Sequence, residues 1–389
     1  MLRAATVAIV PDDPYAGGRE TATELVDELG HAPDLLLLFV SAEHPIEQVV
    51  AGVRSRLGTQ VPLVGCSSFA EIGPDEALTG SITAIGLSAP HLGFHPVSIA
   101  DVSTDSLAAG QELGRLLQPH QPKVVLTFPD GLRANNSRLS RGMQEVLGPD
   151  PLVVGGAAGD RGDFSKTYQI HDDNVFSGGA VAVGISGEIS ATVVARSGWT
   201  PIGATHTCTL VEGGNVLREL DGKPALQLYK DYLGDRARQL PMVAVEFPVG
   251  VVGGISGLRS LPEEPVHFLR MVVGVDEERQ ALRFAGEIPQ GAEVRVTIAS
   301  PNDVISAASA AMQQAQQAMP APNLALFFNC MARKLALGSR YRDELRGPMS
   351  SLGRTPRGGF YTYGELAPVQ GQGQAACHNE TCVITLLKG

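Results

Sequence analysis

Aromatic side chains are sparse, at 5% of the 389 residues, and only one of them is a tryptophan, Trp199. Cysteine is scarce too. The five (Cys66, Cys208, Cys330, Cys377 and Cys382) are odd in number and form no CxxC pair, so no disulfide framework is read here. Cys377 and Cys382 flank HNET, a spacing that matches no common zinc site. Reduced thiols in a cytoplasmic protein are the expectation. Long apolar runs are missing. The longest, LLLLFV at 35–40, falls far short of the ~20 residues a spanning helix needs. The N-terminal MLRAATVAIVPDDPY has too short an apolar core for a signal peptide and reads as the start of the fold. No basic cluster occurs, and the net charge of −11 argues against nucleic acid as a partner. The nine histidines make no HxH or HExxH pattern, and His91 and His95 are bracketed by Pro90 and Pro96, so no metal site is expected.

Glycine and proline are plentiful, at 45 and 26, which implies many tight turns between short elements. The length favours two domains. Within it a pattern repeats. The first unit runs DLLLLFVSAEHPIEQVVAGVRSRLG, PLVGCSS and GSITAIGLSA; the second runs KVVLTFPDGLRANNSRLSRGMQEVLG, PLVVGGAAGD and GGAVAVGISG. Each reads as a buried strand ending near a phenylalanine (Phe39, Phe128), a helix, a strand ending in a small-residue turn, and a closing strand. The outline returns near the C-terminus as NLALFFNC, a helical MARKLALGSRYRDELRGPMSSLG, GGFYTYGEL and TCVITLL. Between the second and third units lie a hairpin, HFLRMVVGVDEERQALRFAGEIP, a further strand, AEVRVTIASP, and the helical VISAASAAMQQAQQAM.

Strands alternating with helices, with hairpins mixed in, predict an α/β fold of the α+β kind. Mixed β-sheets are covered by helices and built from repeated strand–helix–strand–strand units, in two domains. The domains are read as 1–220, holding units 34–89 and 122–187, and 221–389, opening at the Asp-Gly turn of DGKPALQLYKDYLG. The glycines of the three units, Gly65, Gly155 and Gly359, are expected at matching places. PLVVGGAAGD is no P-loop, since no lysine follows Gly159, and it is no dinucleotide fingerprint either.

Taken together, LLLLFVS, PLVGCSSFAEI, LTFPDGL, VVGGAAGD, SGWTPIG and ELDGKPALQLY, then FFNCMARKLALGSRYRDELRG, GGFYTYGELAP and HNETCVITLL, resemble the FIST domain family. The first six fall in the order of its N-terminal part and the last three in that of its C-terminal part. The GCSSFAE turn lacks the glycine common after its small residues. The resemblance implies a sensory module of signalling proteins, with small molecules such as amino acids as proposed ligands and haem in some relatives. No kinase, cyclase or receptor domain is read in the sequence, so output through a separate signalling protein is the expectation.

Several side chains are candidates for the ligand site, expected as a pocket between the two halves. Cys330 and Arg333 stand where a buried strand gives way to a helix, a place where α/β sheets present ligands. The Arg333 fork suits a carboxylate; its alternative is an internal ion pair with Glu365 or Glu344. Tyr361, Tyr363 and Glu365 recur at period two and so are placed on one strand face, able to line a polar pocket or simply to finish a strand. The turns contribute Cys66, Ser67, Ser68, Gly155, Gly156 and Asp160, and the HNET stretch adds Asn379. Cys66 or Cys330 as the nucleophile of a small-metabolite enzyme is the second reading, with a small buried thiol as its alternative. A haem-binding gas sensor is the third, with His206 and His378 as the histidines to watch. Trp199 is either a pocket wall or a core filler. No catalytic residue is assigned.

Overall fold

The computed structural model describes residues 1–254, 266–369 and 375–389. The three strand runs of the sequence each become the middle of a six-stranded mixed sheet. In the first sheet, Leu35–Ser41 pairs in parallel with Leu63–Ser68 and antiparallel with Ile82–Ser88. In the second, Val124–Pro129 does the same with Leu152–Gly156 and Ala180–Ser186. In the third, Leu324–Cys330 does so with Arg357–Thr362 and Cys382–Lys388. These strands are continuous apolar runs because both of their faces are covered. Leu35, Leu37 and Phe39 face one core while Leu36, Leu38 and Val40 face another.

Each unit opens earlier than its sequence pattern suggests. An extra antiparallel strand precedes it (Arg3–Ile9, Gly93–Ile99 and Ser190–Arg196) and is followed by a helix (Pro14–Leu29, Ser106–Leu117 and Pro301–Ala318). Local chemistry starts these helices: Asp13, Asp105 and Ser300 accept hydrogen bonds from the first-turn N–H groups. Ser300 and Asp303 form a reciprocal capping box. The helices cover the outer faces of the sheets, and the three inner faces enclose a shared apolar core. Phe39, Phe128 and Phe328 meet there from the three units, joined by Phe360 at 4.5 Å between ring centroids from Phe39.

The units exchange strands in a ring. The hairpin that follows the glycine turn of each unit completes a neighbour's sheet. Gln169–His171 of the second unit pairs with Leu63–Ser68; Glu365–Pro368 of the third pairs with Leu152–Gly156; Ala70–Ile72 of the first pairs with Arg357–Thr362. The register is the same at all three joints: Gln169 faces Cys66, Glu365 faces Gly156, and Glu71 faces Phe360.

The matching glycines fall at matching places. A Cβ on Gly65, Gly155 or Gly359 would lie 1.8, 2.0 or 1.9 Å from the carbonyl oxygen of Leu38, Thr127 or Phe327 on the neighbouring strand. Gly155 and Gly359 also have φ of 151° and 154°, which side chains disfavour.

A second body interrupts the third unit. The described residues between 200 and 298 build a separate antiparallel sheet around Thr200–Glu212, Val216–Leu220 and Glu293–Ile298, with the helix Ala225–Leu233 against it. The expected hairpin is present as Val272–Asp276 paired with Ala281–Phe284. This sheet has its own apolar core, which shares no residue with the core inside the three-sheet body. Among the described residues no helix is long and apolar enough to cross a membrane.

Candidate functional site

The glycine turns meet one another instead of opening onto a ligand. The Ser67 hydroxyl donates to the Gly159 carbonyl at 2.7 Å, Gly159 N–H donates to Ser67 O, and Phe69 N–H donates to Tyr361 O. Cys66, Ser67, Ser68, Gly155 and Gly156 are buried. Asp160 accepts hydrogen bonds from Tyr363 and from the backbone N–H groups of Gly162, Phe164, Ser165 and Lys166. Burial alone would raise its pKa, but these donors outweigh it and hold the carboxyl below its usual range. Asp160 thereby shapes the loop that follows it.

Tyr361, Tyr363 and Glu365 do not share a strand face. The strand Arg357–Thr362 ends before Tyr363, and Glu365 begins a strand of a different sheet. Tyr361 reaches Glu344, Tyr363 reaches Asp160, and Glu365 accepts from the Thr362 hydroxyl at 2.6 Å and from Thr381 N–H at 3.2 Å. The Arg333–Glu365 clamp for a zwitterion is therefore not formed. Arg333 is fully buried and donates to Glu344 Oε1 at 2.5 Å. Burial pulls its pKa down, but the Glu344 carboxylate beside it outweighs burial and holds the guanidinium charged. Its remaining donors reach the carbonyls of Arg196, Ser197, Val304 and Glu380. Arg333 thus ties together the 196–197 segment, the start of the helix Pro301–Ala318, and the HNET turn.

Those three segments surround a cleft of about 570 Å³ on the seam between the three-sheet body and the inserted sheet. Residues 195–201 form one wall, Asp303, Ser306, Ala307 and Ala310 of the helix a second, and 266–269 a third, with His378 and Thr381 at the base. Two buried guanidiniums back its aromatic residues: Arg333 lies 5.7 Å from the Trp199 ring and Arg270 lies 4.2 Å from the Phe268 ring. The same two arginines clamp the HNET turn, Arg270 on the Cys377 carbonyl and Arg333 on the Glu380 carbonyl. Trp199, 5% exposed, is both pocket wall and core residue, packing with Leu269, Val304 and Leu337.

Behind the turn lies a buried acidic cluster. Glu380, at φ 55°, is fully buried, and among the described residues neither of its carboxylate oxygens has a hydrogen-bond partner. Burial, and then the nearby Glu365, push its pKa far up. Burial likewise raises Glu365 to about 8. In the first unit, Glu71 accepts from Ser68 and Ser81 and is raised by burial to about 7.

Of the twelve sequence candidates, none lines the cleft; eleven are buried and Tyr363 is half-buried. Asn379 sits between two cleft residues and accepts weakly from Met271 N–H at 3.5 Å. The sequence reading missed Ser197, His267, Asp303 and Ser306. A signal was present: SGWTPIG and HNETC both belong to the motif set, and both contribute to this cleft.

The nucleophile and haem readings meet physical obstacles. Cys66 and Cys330 are buried, and burial raises both thiols well above their ordinary pKa, which disfavours the reactive thiolate. Both histidines considered for haem hold hydrogen bonds within the protein. His206 uses Nδ1 on Asp221 at 2.7 Å and Nε2 on Tyr232 at 3.1 Å, leaving no nitrogen for iron. His378 is buried, with Nε2 on the Ala367 carbonyl at 3.1 Å. Among the described residues no group of three or more His, Cys, Asp or Glu is placed to hold a metal.

Comparison with known proteins adds a family. A model of the FIST N domain matches residues 34–223, and one of the FIST C domain matches residues 225–368. An uncharacterised protein of Mycobacterium tuberculosis is 24% identical over 387 residues, covering 98% of each chain. An uncharacterised protein of Mycobacterium bovis is also 24% identical over 387 residues, covering 98% of this chain and 97% of its own. One from Methanocaldococcus jannaschii is 34% identical over 100 residues, 25% of this chain and 19% of its own. Among solved structures, a cyanuric acid hydrolase from A. caulinodans aligns with a TM-score of 0.25 and 13% identity, over 48% of this chain and 71% of its own. T. maritima PurL complexed with AMPPCP aligns at 0.21 and 11%, over 99% and 72%. At such scores neither structure bears on fold or function.

Proposed function

The chain belongs to the family that joins a FIST N domain to a FIST C domain, and from that premise we propose that it is a sensory module binding a small molecule of amino-acid size in the cleft beneath Trp199. FIST domains are sensory domains. The observation that carries the reading is the cleft itself, where the SGWTP segment and the HNET turn meet at the seam of two bodies with separate cores. Seams of this kind are favoured places for small-molecule sites, and the volume is in their usual range. A ligand touching both bodies favours whichever relative arrangement gives it more contacts, which supplies a signal. Output then passes to a separate protein in the cytoplasm, a placement that suits five unpaired cysteines.

A thermal-shift screen of small metabolites, run on the full chain and on Ser306→Phe, tests this. Ser306 is exposed on its helix and lines the cleft, so the larger side chain fills the space without disturbing a core. A ligand at ~100 times its Kd adds about 2.7 kcal/mol of stability. The reading expects at least one stabiliser that Ser306→Phe no longer answers to. Stabilisers that act equally on both proteins place the site elsewhere.

A further inference from the structure

On the reading that this chain signals through a separate protein, we infer that the partner docks by an acidic segment on the arginine-bearing surface around the helix Tyr341–Ser351. The three units allow charge to be compared at one equivalent place, the connection between the two parallel strands at the centre of each sheet. Residues 42–62 hold two Lys or Arg and two Asp or Glu, and residues 130–151 hold three of each. Residues 331–356 hold six Lys or Arg against two acids. The fold is built twice with a neutral connection, so packing does not require the excess in the third. Arg333 and Glu344 neutralise each other in the interior. What remains, joined by Arg357 at the start of the next strand, is basic on a chain whose net charge is −11. No basic run marks this surface in the sequence, because its residues are spread over 334–357 and only the fold collects them.

Arg342 and Arg346, four apart on the helix, share one face. With Met349 they line a groove of about 290 Å³ that Arg357 and the first unit's Asp75 and Glu76 complete. Arg340 and Arg354 are exposed beside the two ends of the helix. The acids already present do not close the site. Glu76 pairs with Arg342 at 3.3 Å, Asp75 with Arg357 at 3.9 Å, and Asp343 with Arg340 at 3.4 Å and Arg346 at 3.2 Å. Each pair has a well-exposed member, and such surface pairs are weak. A guanidinium also has five N–H donors, so a second carboxylate can bind without the first leaving. A continuous phosphate backbone fits less well, because the three carboxylates interrupt the arginines and the chain as a whole is acidic. A peptide can place its carboxylates between them. The helix is also joined to the cleft. Its Glu344 holds Arg333, whose other donors hold the carbonyls of Ser197, Val304 and Glu380 around the cleft. A shift of those walls on ligand binding therefore reaches the docking helix through one buried ion pair.

The probe is a short fluorescein-labelled poly-glutamate peptide, titrated by anisotropy against the full chain, with labelled single-stranded DNA as the comparison. Two double variants make the same change in net charge. One combines Arg342→Glu with Arg346→Glu on the docking helix; the other combines Arg56→Glu with Arg115→Glu, at exposed helix positions of the other two units. Circular dichroism confirms that both fold. The inference expects the peptide to bind, the first pair to weaken it by at least about tenfold, and the second pair to leave it unchanged. Absence of peptide binding, equal weakening by both pairs, or tighter binding of DNA than of the peptide each overturns it. Peptide binding is measured with no cleft ligand present, so its failure leaves the ligand screen on Ser306→Phe untouched, and the two readings fail separately.

Discussion

Gln169, Glu71 and Glu365 hold the same place in the three units, yet one is an amide and two are acids. Each faces the start of its unit's closing strand: Glu71 accepts from Ser81 N–H, Glu365 from Thr381 N–H, and Gln169 from Gly179 N–H at 3.4 Å. The fold therefore needs an acceptor there and not a charge. Because burial raises Glu71 to about 7 and Glu365 to about 8, the folded state binds protons that the unfolded chain, near 4.3, has released. Their contribution is complete below pH ~4.3 and is lost as pH rises through about 7 and about 8. Glu71→Gln and Glu365→Gln, which copy Gln169, are expected to raise the melting temperature at pH 8.5 and to flatten its fall between pH 5 and 8.5. Melting temperatures measured across that range check this; a steeper fall in the variants contradicts it. Arg333 behaves oppositely. Arg333→Met strands Glu344 in a dry site, so a loss of ~3–5 kcal/mol is expected in urea unfolding. That Arg333 mattered was legible in the sequence, as was Glu344 as one possible partner. Its reach to Ser197, Val304 and Glu380 was not, because those contacts join segments that only the fold brings together.

At the scale of strands and helices, the legible parts were those buried on both faces. LLLLFV, VVLTF and LALFF read as strands because their apolar runs leave no other assignment, and the glycine turns read as equivalent because a side chain has no room there. Gly155→Ala and Gly359→Ala are accordingly expected to destabilise the chain by more than ~2 kcal/mol each, since the added carbon meets a strand carbonyl that cannot move aside. Denaturant melts decide this, and a loss below ~1 kcal/mol contradicts the close approach. The opening strands Arg3–Ile9, Gly93–Ile99 and Ser190–Arg196 escaped the repeat. All three are only partly buried, so their patterns are weak. The supposed single face of Tyr361, Tyr363 and Glu365 failed because period two holds only while a strand continues, and this one stops at Thr362. The hairpin exchange was illegible for a different reason: nothing local in Ala70–Ile72 names Arg357–Thr362 as its neighbour.

At the scale of the whole molecule, a three-sheet body carries a second sheet inserted between the opening strand and the first helix of its third unit. This insertion hid the third unit's true extent and placed the cleft at a junction that spacing does not reveal. Thr200 and Ile298, at the insertion's two ends, are partners in an antiparallel ladder, so their Cα atoms lie about 5 Å apart. A chain lacking 201–297, closed by a two-residue turn, is expected to unfold cooperatively with the strand content of the body retained and every cleft ligand lost. Circular dichroism during urea unfolding checks the first part, and a broad, non-cooperative transition contradicts it. The central claim is that ligands are held at this seam. Hydrogen–deuterium exchange, with and without a stabilising metabolite, tests it most directly. Slowed exchange at 197–201, 301–310 and 378–381 is the predicted result; protection confined to the turns at 65–68 and 155–160, with the seam unchanged, would contradict it.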